Sequence, residues 1–177
     1  MQIPSQLHAI TLRTIKLPTF EYNALMATPL ALQQLDHQLC FALYSSSLQM
    51  TKLYKPVLAP LGLTYPQYLV LLVLWEGDVI GVGELGARLY LDSGTLTPVL
   101  KRMEAAGLLA RSRAADDERR VSVALTAAGR ALRRKAAHIP LDVACATGCK
   151  LTELTALTAQ LHRLRSNIAG HLEAASS

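Results

Sequence analysis

The spacing of apolar residues changes several times along this chain, and each change marks an element. Between Gln33 and Leu53, residues Leu35, Leu39, Ala42, Leu43, Leu48 and Leu53 fall largely on one face of a helical repeat, with no glycine or proline between them. Pro56 is expected to kink or end that helix, and Gly62 to close a short helical piece over 57–61. Thr64 reads as the N-cap of the next helix, with Pro66 in its first turn, where a missing N–H removes no bond. That helix carries the longest apolar run, Tyr68 to Trp75, and is expected to bury Tyr68, Leu69, Leu72 and Val73 before ending at Gly77.

Val82 to Leu89 predicts a short amphipathic helix, and Leu91-Asp92-Ser93-Gly94 a tight turn. A second helix starts near Ser93 or Thr95 and runs to Ala106, with Leu96, Leu100 and Met103 inward. Pro98 requires that start to lie close to Gly94, and Gly107 stops the helix. The period then switches to two: 108–113 and 120–125 alternate as hairpin strands, with Val121, Val123 and Leu125 on one face. Two helices, a turn and a hairpin outline a winged helix-turn-helix, which sets its second helix in a DNA major groove with the hairpin beside it.

Thr126 precedes a predicted helix from Ala127 to Ile139, closed by Pro140, and a helical turn over 141–147 stops at Gly148. From an N-cap at Thr152 a last helix runs to about Leu172, its Leu154, Leu157, Leu161, Leu164, Ile168 and Leu172 spaced by three and four in a near-heptad seam. Such a seam packs on its own domain or on a second subunit. A homodimer is expected, because two half-sites a helical turn apart multiply affinity. The expected fold class is therefore mainly α with a small β-hairpin wing. A winged helix-turn-helix over about 62–126 is flanked by N- and C-terminal dimerisation helices over about 33–61 and 127–172, within one domain spanning 33–177. Residues 1–32 lack periodicity and carry Pro4, Pro18 and Pro29, so they are expected to form a variable extension, with Met26 as an alternative start.

At 177 residues the chain fits one domain with a tail. No apolar run approaches the ~20 residues that cross a bilayer. The first thirty residues lack the charged start, apolar centre and cleavage site of a secretory signal. A cytoplasmic protein without a membrane partner is expected. The net charge of +5 is unevenly placed: from Lys101 to Lys135 ten Lys or Arg residues face four acids, a net of +6. Alone this block reads equally as a solvated face, but its coincidence with the helix-turn-helix points to phosphate binding and a double-stranded DNA partner. Ser93, Thr95 and Thr97 are short hydrogen-bonding candidates at the start of the reading helix. Lys101 and Arg102 follow, with Arg102 able to meet guanine or a phosphate through two bonds. At the hairpin tip, Arg119 and Arg120 are candidates for a minor groove, with Asp117 holding the neighbouring arginine extended.

Three cysteines in a reducing compartment do not suggest structural disulfides. Cys40 lies within the first predicted helix, between Leu39 and Phe41, where an inert buried thiol is the ordinary role. A reactive thiol needs donors or positive charge around it, and Tyr44, Tyr54 and Tyr65 are the nearest plausible hydroxyl donors. Cys145 and Cys149 with His138 make a poor zinc site, because Gly148 interrupts the helix between the two thiols. Neither a metal nor a cofactor is expected.

The segments GLTYPQYLVLLVLWE, LYLDSGTLTPVLKRMEAAGLL and DDERRVSVALTAAGR resemble the MarR family of winged-helix repressors, and within it the organic hydroperoxide-sensing branch, OhrR. The resemblance covers the chain from about Leu35 onward. It implies that Asp117 and Arg119 are the acid and base of the family's wing, and that Cys40 is the peroxidatic sensor. Tyr54 and Tyr65 would donate hydrogen bonds to that thiolate across the dimer, and Cys145 would resolve the oxidised sulfur as an intersubunit disulfide. The expected function is thus a repressor that leaves operator DNA when an organic hydroperoxide, its inducer, oxidises Cys40. Two alternatives stand beside it: a repressor of the same family that binds a small phenolic ligand, its cysteines incidental, and a thiol peroxidase enzyme. A basic reading helix and wing are of no use to such an enzyme.

Overall fold

A computed structural model describes residues 33–113 and 121–176. The expected N-terminal extension lies outside them, and so does the hairpin tip. The chain divides into two compact units, residues 1–48 and 49–177. In the first, a 3₁₀ turn, Leu35–His37, is separated by the extended Gln38 (φ −85°, ψ 115°) from the start of helix α1, Leu39–Leu58. The helix expected from Gln33 therefore begins six residues later, at Leu39. None of the turn residues Leu35–His37 is buried. At its other end α1 runs through Pro56 to Leu58. Proline so near the C-terminus frees a single carbonyl, that of Lys52, an exposed residue, and the penalty is too small to stop the helix there. A 3₁₀ turn, Ala59–Leu61, and Gly62 in the left-handed region (φ 65°) then close the segment.

The second unit holds the core. Helix α2, Tyr65–Leu74, starts as expected at Thr64, whose N–H donates to Gln67 Oε1 at 2.8 Å. Its burial differs from the expected face. Tyr68, Val70, Leu71, Val73 and Leu74 are buried, Leu69 is half-buried, and Leu72 is 37% exposed. The helix is apolar almost all round, so its composition carries no phase and only its neighbours choose the inner side.

A strand absent from the sequence reading follows: β1, Val79–Gly81. Three residues are too few to show a period of two. Then come α3, Val82–Leu89, α4, Ser93–Ala105, β2, Leu109–Arg113, and β3, Val121–Leu125. The expected two-stranded hairpin is thus part of a three-stranded antiparallel sheet in the order β1-β3-β2, with Ile80 opposite Val123 and Leu109 opposite Leu125. Four buried side chains, Leu96, Val99, Leu100 and Met103, fix α4 to the core. At about 1.5–3 kcal/mol for each large one, they outweigh the ~3 kcal/mol cost of Pro98 within the helix.

Helix α5, Ala127–Lys135, ends earlier than expected, and Pro140 starts a helix instead of stopping one: α6, Ile139–Ala146, has it in the first turn. Gly148 (φ 70°) closes α6 as anticipated. Helix α7, Leu151–Ser176, begins one residue before the expected cap at Thr152, and the Glu153 carboxylate accepts from the Lys150 N–H at 2.9 Å. No residue of α7 is buried, and its Leu157, Ile168 and Leu172 are 51–60% exposed. Among the described residues no single helix is long and apolar enough to cross a membrane.

The sheet, α2 and α5 meet at Gly129. Its N–H is accepted by the N-cap Thr126 Oγ1 at 3.1 Å, and its carbonyl accepts from Trp75 Nε1 at 3.0 Å. A β-carbon at Gly129 would lie 2.1 Å from the Leu108 carbonyl oxygen and 2.9 Å from Leu125 Cδ2. Gly129→Ala is therefore expected to destabilise the protein by about 1–3 kcal/mol, read as a lower urea midpoint at unchanged slope. An unshifted midpoint would show that α5 can back away from the wing at no cost.

Candidate functional site

The reading helix α4 is held at both ends by carboxylates. At its start Asp92 is the N-cap: Oδ1 accepts from the Thr95 N–H at 2.8 Å and Oδ2 from the Thr95 hydroxyl at 3.0 Å. Those two bonds, the backbone one foremost, hold the exposed Asp92 carboxyl below its usual range. The sequence reading placed Asp92 in a turn and missed this role, although an Asp just ahead of an apolar-periodic helical run is a capping signal. Near the other end, Glu104 receives the Arg111 side chain at 2.8 Å (Nε) and 2.6 Å (Nη2), and the Arg111 backbone N–H at 3.1 Å. The Arg111 hydrogen bonds keep the Glu104 carboxyl low as well. This fork ties β2 to the last turn of α4, so the wing strand and the reading helix move together. Nothing in the spacing of Glu104 and Arg111 advertised it.

With Leu96, Val99, Leu100 and Met103 inside, α4 presents Thr95, Pro98, Lys101 and Arg102 to solvent, with Ser93 exposed at its first position and Thr97 half-buried on the flank. The Thr95 hydroxyl proton is taken by Asp92, so Lys101 and Arg102 are the strongest outward donors on this face. Asp117, Arg119 and Arg120 lie outside the described residues. The basic block is subdivided. Arg111 is paired with Glu104, and Arg130 donates to the Leu125 carbonyl at 2.8 Å, while Arg133, Arg134 and Lys135 are exposed in the last turn of α5. The turn into α4 is tight: a β-carbon at Gly86 would sit 2.9 Å from the Leu91 carbonyl oxygen.

Tyr54 and Tyr65 are brought together in the second unit, ring centroids 4.5 Å apart, with Tyr68 at 5.8 Å from Tyr54 and Trp75 edge-on to Tyr68. Burial, then the neighbouring Tyr65 and Tyr68, push the Tyr54 phenol up to about 12, and burial raises Tyr65. Both remain protonated donors at any physiological pH. Beside Tyr65 an apolar cavity of about 390 Å³ is lined by Thr51, Lys55, Ala59, Leu63, Thr64, Tyr65 and Pro66.

Cys40 is the second residue of α1, not a mid-helix residue, and it is free and exposed. Tyr44, one turn on along the same face, is 62% exposed. Cys145, in the last turn of α6, and Cys149, just past Gly148, are also free and exposed. Among the described residues no three His, Cys, Asp or Glu side chains cluster as metal ligands.

Residues 52–135 match the family model described as transcriptional regulator SarA/Rot. The chain is 57% identical over 107 residues to the organic hydroperoxide resistance transcriptional regulator of Bacillus subtilis (strain 168), covering 60% of this chain and 73% of that one. It is 49% identical over 145 residues to the HTH-type transcriptional regulator TtmR of Methylorubrum extorquens (strain PA1), covering 82% and 73%. Among solved structures it is similar to AbfR of Staphylococcus epidermidis. Reduced AbfR bound to DNA gives a TM-score of 0.62 at 32% identity over 76% of this chain and 95% of that one. Disulfide-formed AbfR gives 0.54 at 33% identity over 81% and 98%.

The Tyr54 phenol ionises near 10 when the chain is unfolded and near 12 when it is folded. Between those values the folded state keeps a proton that the unfolded state has lost, so this group's contribution to stability is complete below pH 10 and declines as pH rises toward 12. Denaturation midpoints across that window should fall less steeply in Tyr54→Phe than in the parent. Identical curves would mean that the hydroxyl is solvated.

Proposed function

We propose that this chain, which belongs to the MarR family of winged-helix regulators as an OhrR-type member, releases its operator when an organic hydroperoxide oxidises Cys40. It is a DNA-binding transcriptional regulator and not an enzyme, so the peroxidase reading falls away. The observation that carries the redox reading is the state of Cys40: a free, exposed thiol near the start of α1, in a chain 57% identical to a regulator of organic hydroperoxide resistance.

The Cys40 thiolate attacks one peroxide oxygen, the O–O bond breaks, and the alkoxide takes a proton and leaves as the alcohol, giving a sulfenic acid at Cys40. A thiolate at Cys145 of the partner subunit then attacks that sulfur, the S–O bond breaks, the departing hydroxide takes a proton from solvent to leave as water, and an intersubunit disulfide forms. Tyr54 and Tyr65, kept protonated by burial, serve as donors to the Cys40 thiolate across the dimer, with Tyr44 as a further hydroxyl one turn away. The exposed apolar residues of α1 (Leu39, Leu43, Leu48) and of α7 (Leu157, Ile168, Leu172) are the surfaces on which the second copy packs. Ser93, Thr95, Thr97, Lys101 and Arg102 meet the major groove or its phosphates, and the wing's Arg119 and Arg120, with Asp117 as a brace, meet the minor groove. Oxidation acts as a switch only through the difference between the DNA affinities of the two states. A regulator of this kind works beside its operator, in the cytoplasm.

The cavity beside Tyr65, with Lys55 at its wall, supports a second reading in which a small phenolic ligand is the inducer. Substitution separates the two. Cys40→Ser should stay on the operator in the presence of hydroperoxide, and release identical to the parent's would leave the ligand reading standing. Cys145→Ser should form a sulfenic acid but no cross-linked dimer on a non-reducing gel, and a persistent dimer band would assign resolution to Cys149. Arg119→Ala should weaken operator binding about tenfold or more while leaving Cys40 oxidation unchanged. Equal affinity at fixed salt would remove the wing from recognition.

A further inference from the structure

Tyr90 is the only non-glycine among the described residues with a positive φ, at 56° with ψ 37°. It caps α3 and begins the turn into the reading helix. A residue with a β-carbon is disfavoured there, and glycine or asparagine is the usual occupant. The turn has little slack: the Tyr90 N–H bonds the Ala87 carbonyl at 3.3 Å and the Leu91 N–H bonds that of Gly86 at 3.0 Å. The side chain is not used to fill the core, since Tyr90 is 66% exposed. Instead its ring lies under the guanidinium of Arg165, 4.2 Å from the ring centroid. Arg165 stands on α7, a helix without one buried residue. The stack therefore joins that helix to the turn that sets the angle of α4.

We infer that Arg165 is a positioning residue for operator binding: its planar cation, seated on the Tyr90 ring, holds the left-handed turn and with it the entry angle of α4. Arg is suited to the task because its flat, weakly hydrated head covers an aromatic face better than an ammonium does. The inference concerns the reduced protein and does not depend on the oxidation of Cys40. It is distinct from a role as one more phosphate contact, which would act through charge alone and carry its own salt dependence.

Operator binding by the reduced, full-length protein, followed by fluorescence anisotropy over a salt series, tests it. Arg165→Ala is expected to weaken binding about two- to fivefold per reading head, so on the order of tenfold for a dimer, with the slope of log affinity against log salt unchanged. Tyr90→Phe, which keeps the ring, should bind as the parent does. Tyr90→Ala should match Arg165→Ala, and the double variant should lose no more than either alone. Thermal unfolding of Arg165→Ala should stay near the parent's, since the residue is exposed. Unchanged affinity, additive losses in the double variant, or a salt slope lowered by about one per head would each overturn the inference, the last by making Arg165 a direct phosphate contact.

Discussion

The reading head depends on one close approach of backbone to backbone. Gly129, in the first turn of α5, lies against the Leu108 carbonyl so tightly that no side chain fits, and its own carbonyl takes the Trp75 indole N–H. Around that point Thr126 bonds the Gly107 carbonyl through its hydroxyl and the Leu108 carbonyl through its N–H. The end of the reading helix, the base of the wing, the core helix α2 and the start of α5 are fixed to one another there. Buried polar groups are costly unless paired, so this small set of bonds specifies one arrangement where apolar packing alone would admit several.

From that anchor outward, what faces DNA is organised by bonds that do not themselves read it. Asp92 caps α4 and draws in the Thr95 hydroxyl, and Glu104 grips Arg111. Each takes up a donor that could otherwise have met a phosphate. Among the described residues, Lys101 and Arg102 are the exposed cations of α4 itself. A few cations on a rigid frame lose less entropy on binding than many on a loose one.

The groups proposed for sensing differ in solvation. Tyr54 and Tyr65 are half-buried and stacked, which raises their phenols and makes them fixed donors. The three thiols are exposed and free in the single chain. A sensor needs both: donors whose protonation never varies, and a sulfur whose state does.

The sequence by itself determined the order of elements from Thr64 to Gly148 apart from β1, because caps, glycines and hydrophobic period are local and each acts within a few residues. Thr64, Gly62, Thr126, Gly107 and Gly148 all sit where their backbone preferences predict, and Leu96, Leu100 and Met103 face inward as their spacing requires. Local signals failed where energy comes from distant partners. The phase of α2 was illegible because it is apolar on every side; β1 exists only because β3 lies beside it; and Pro140 was read as a stop when the chain used it as a start. The Arg111–Glu104 fork, the Trp75–Gly129 bond and the Tyr90–Arg165 stack join residues 7, 54 and 75 positions apart. Only the tertiary structure decided them, since a pairing across such distances is set by how whole elements pack and leaves no periodic trace in the chain.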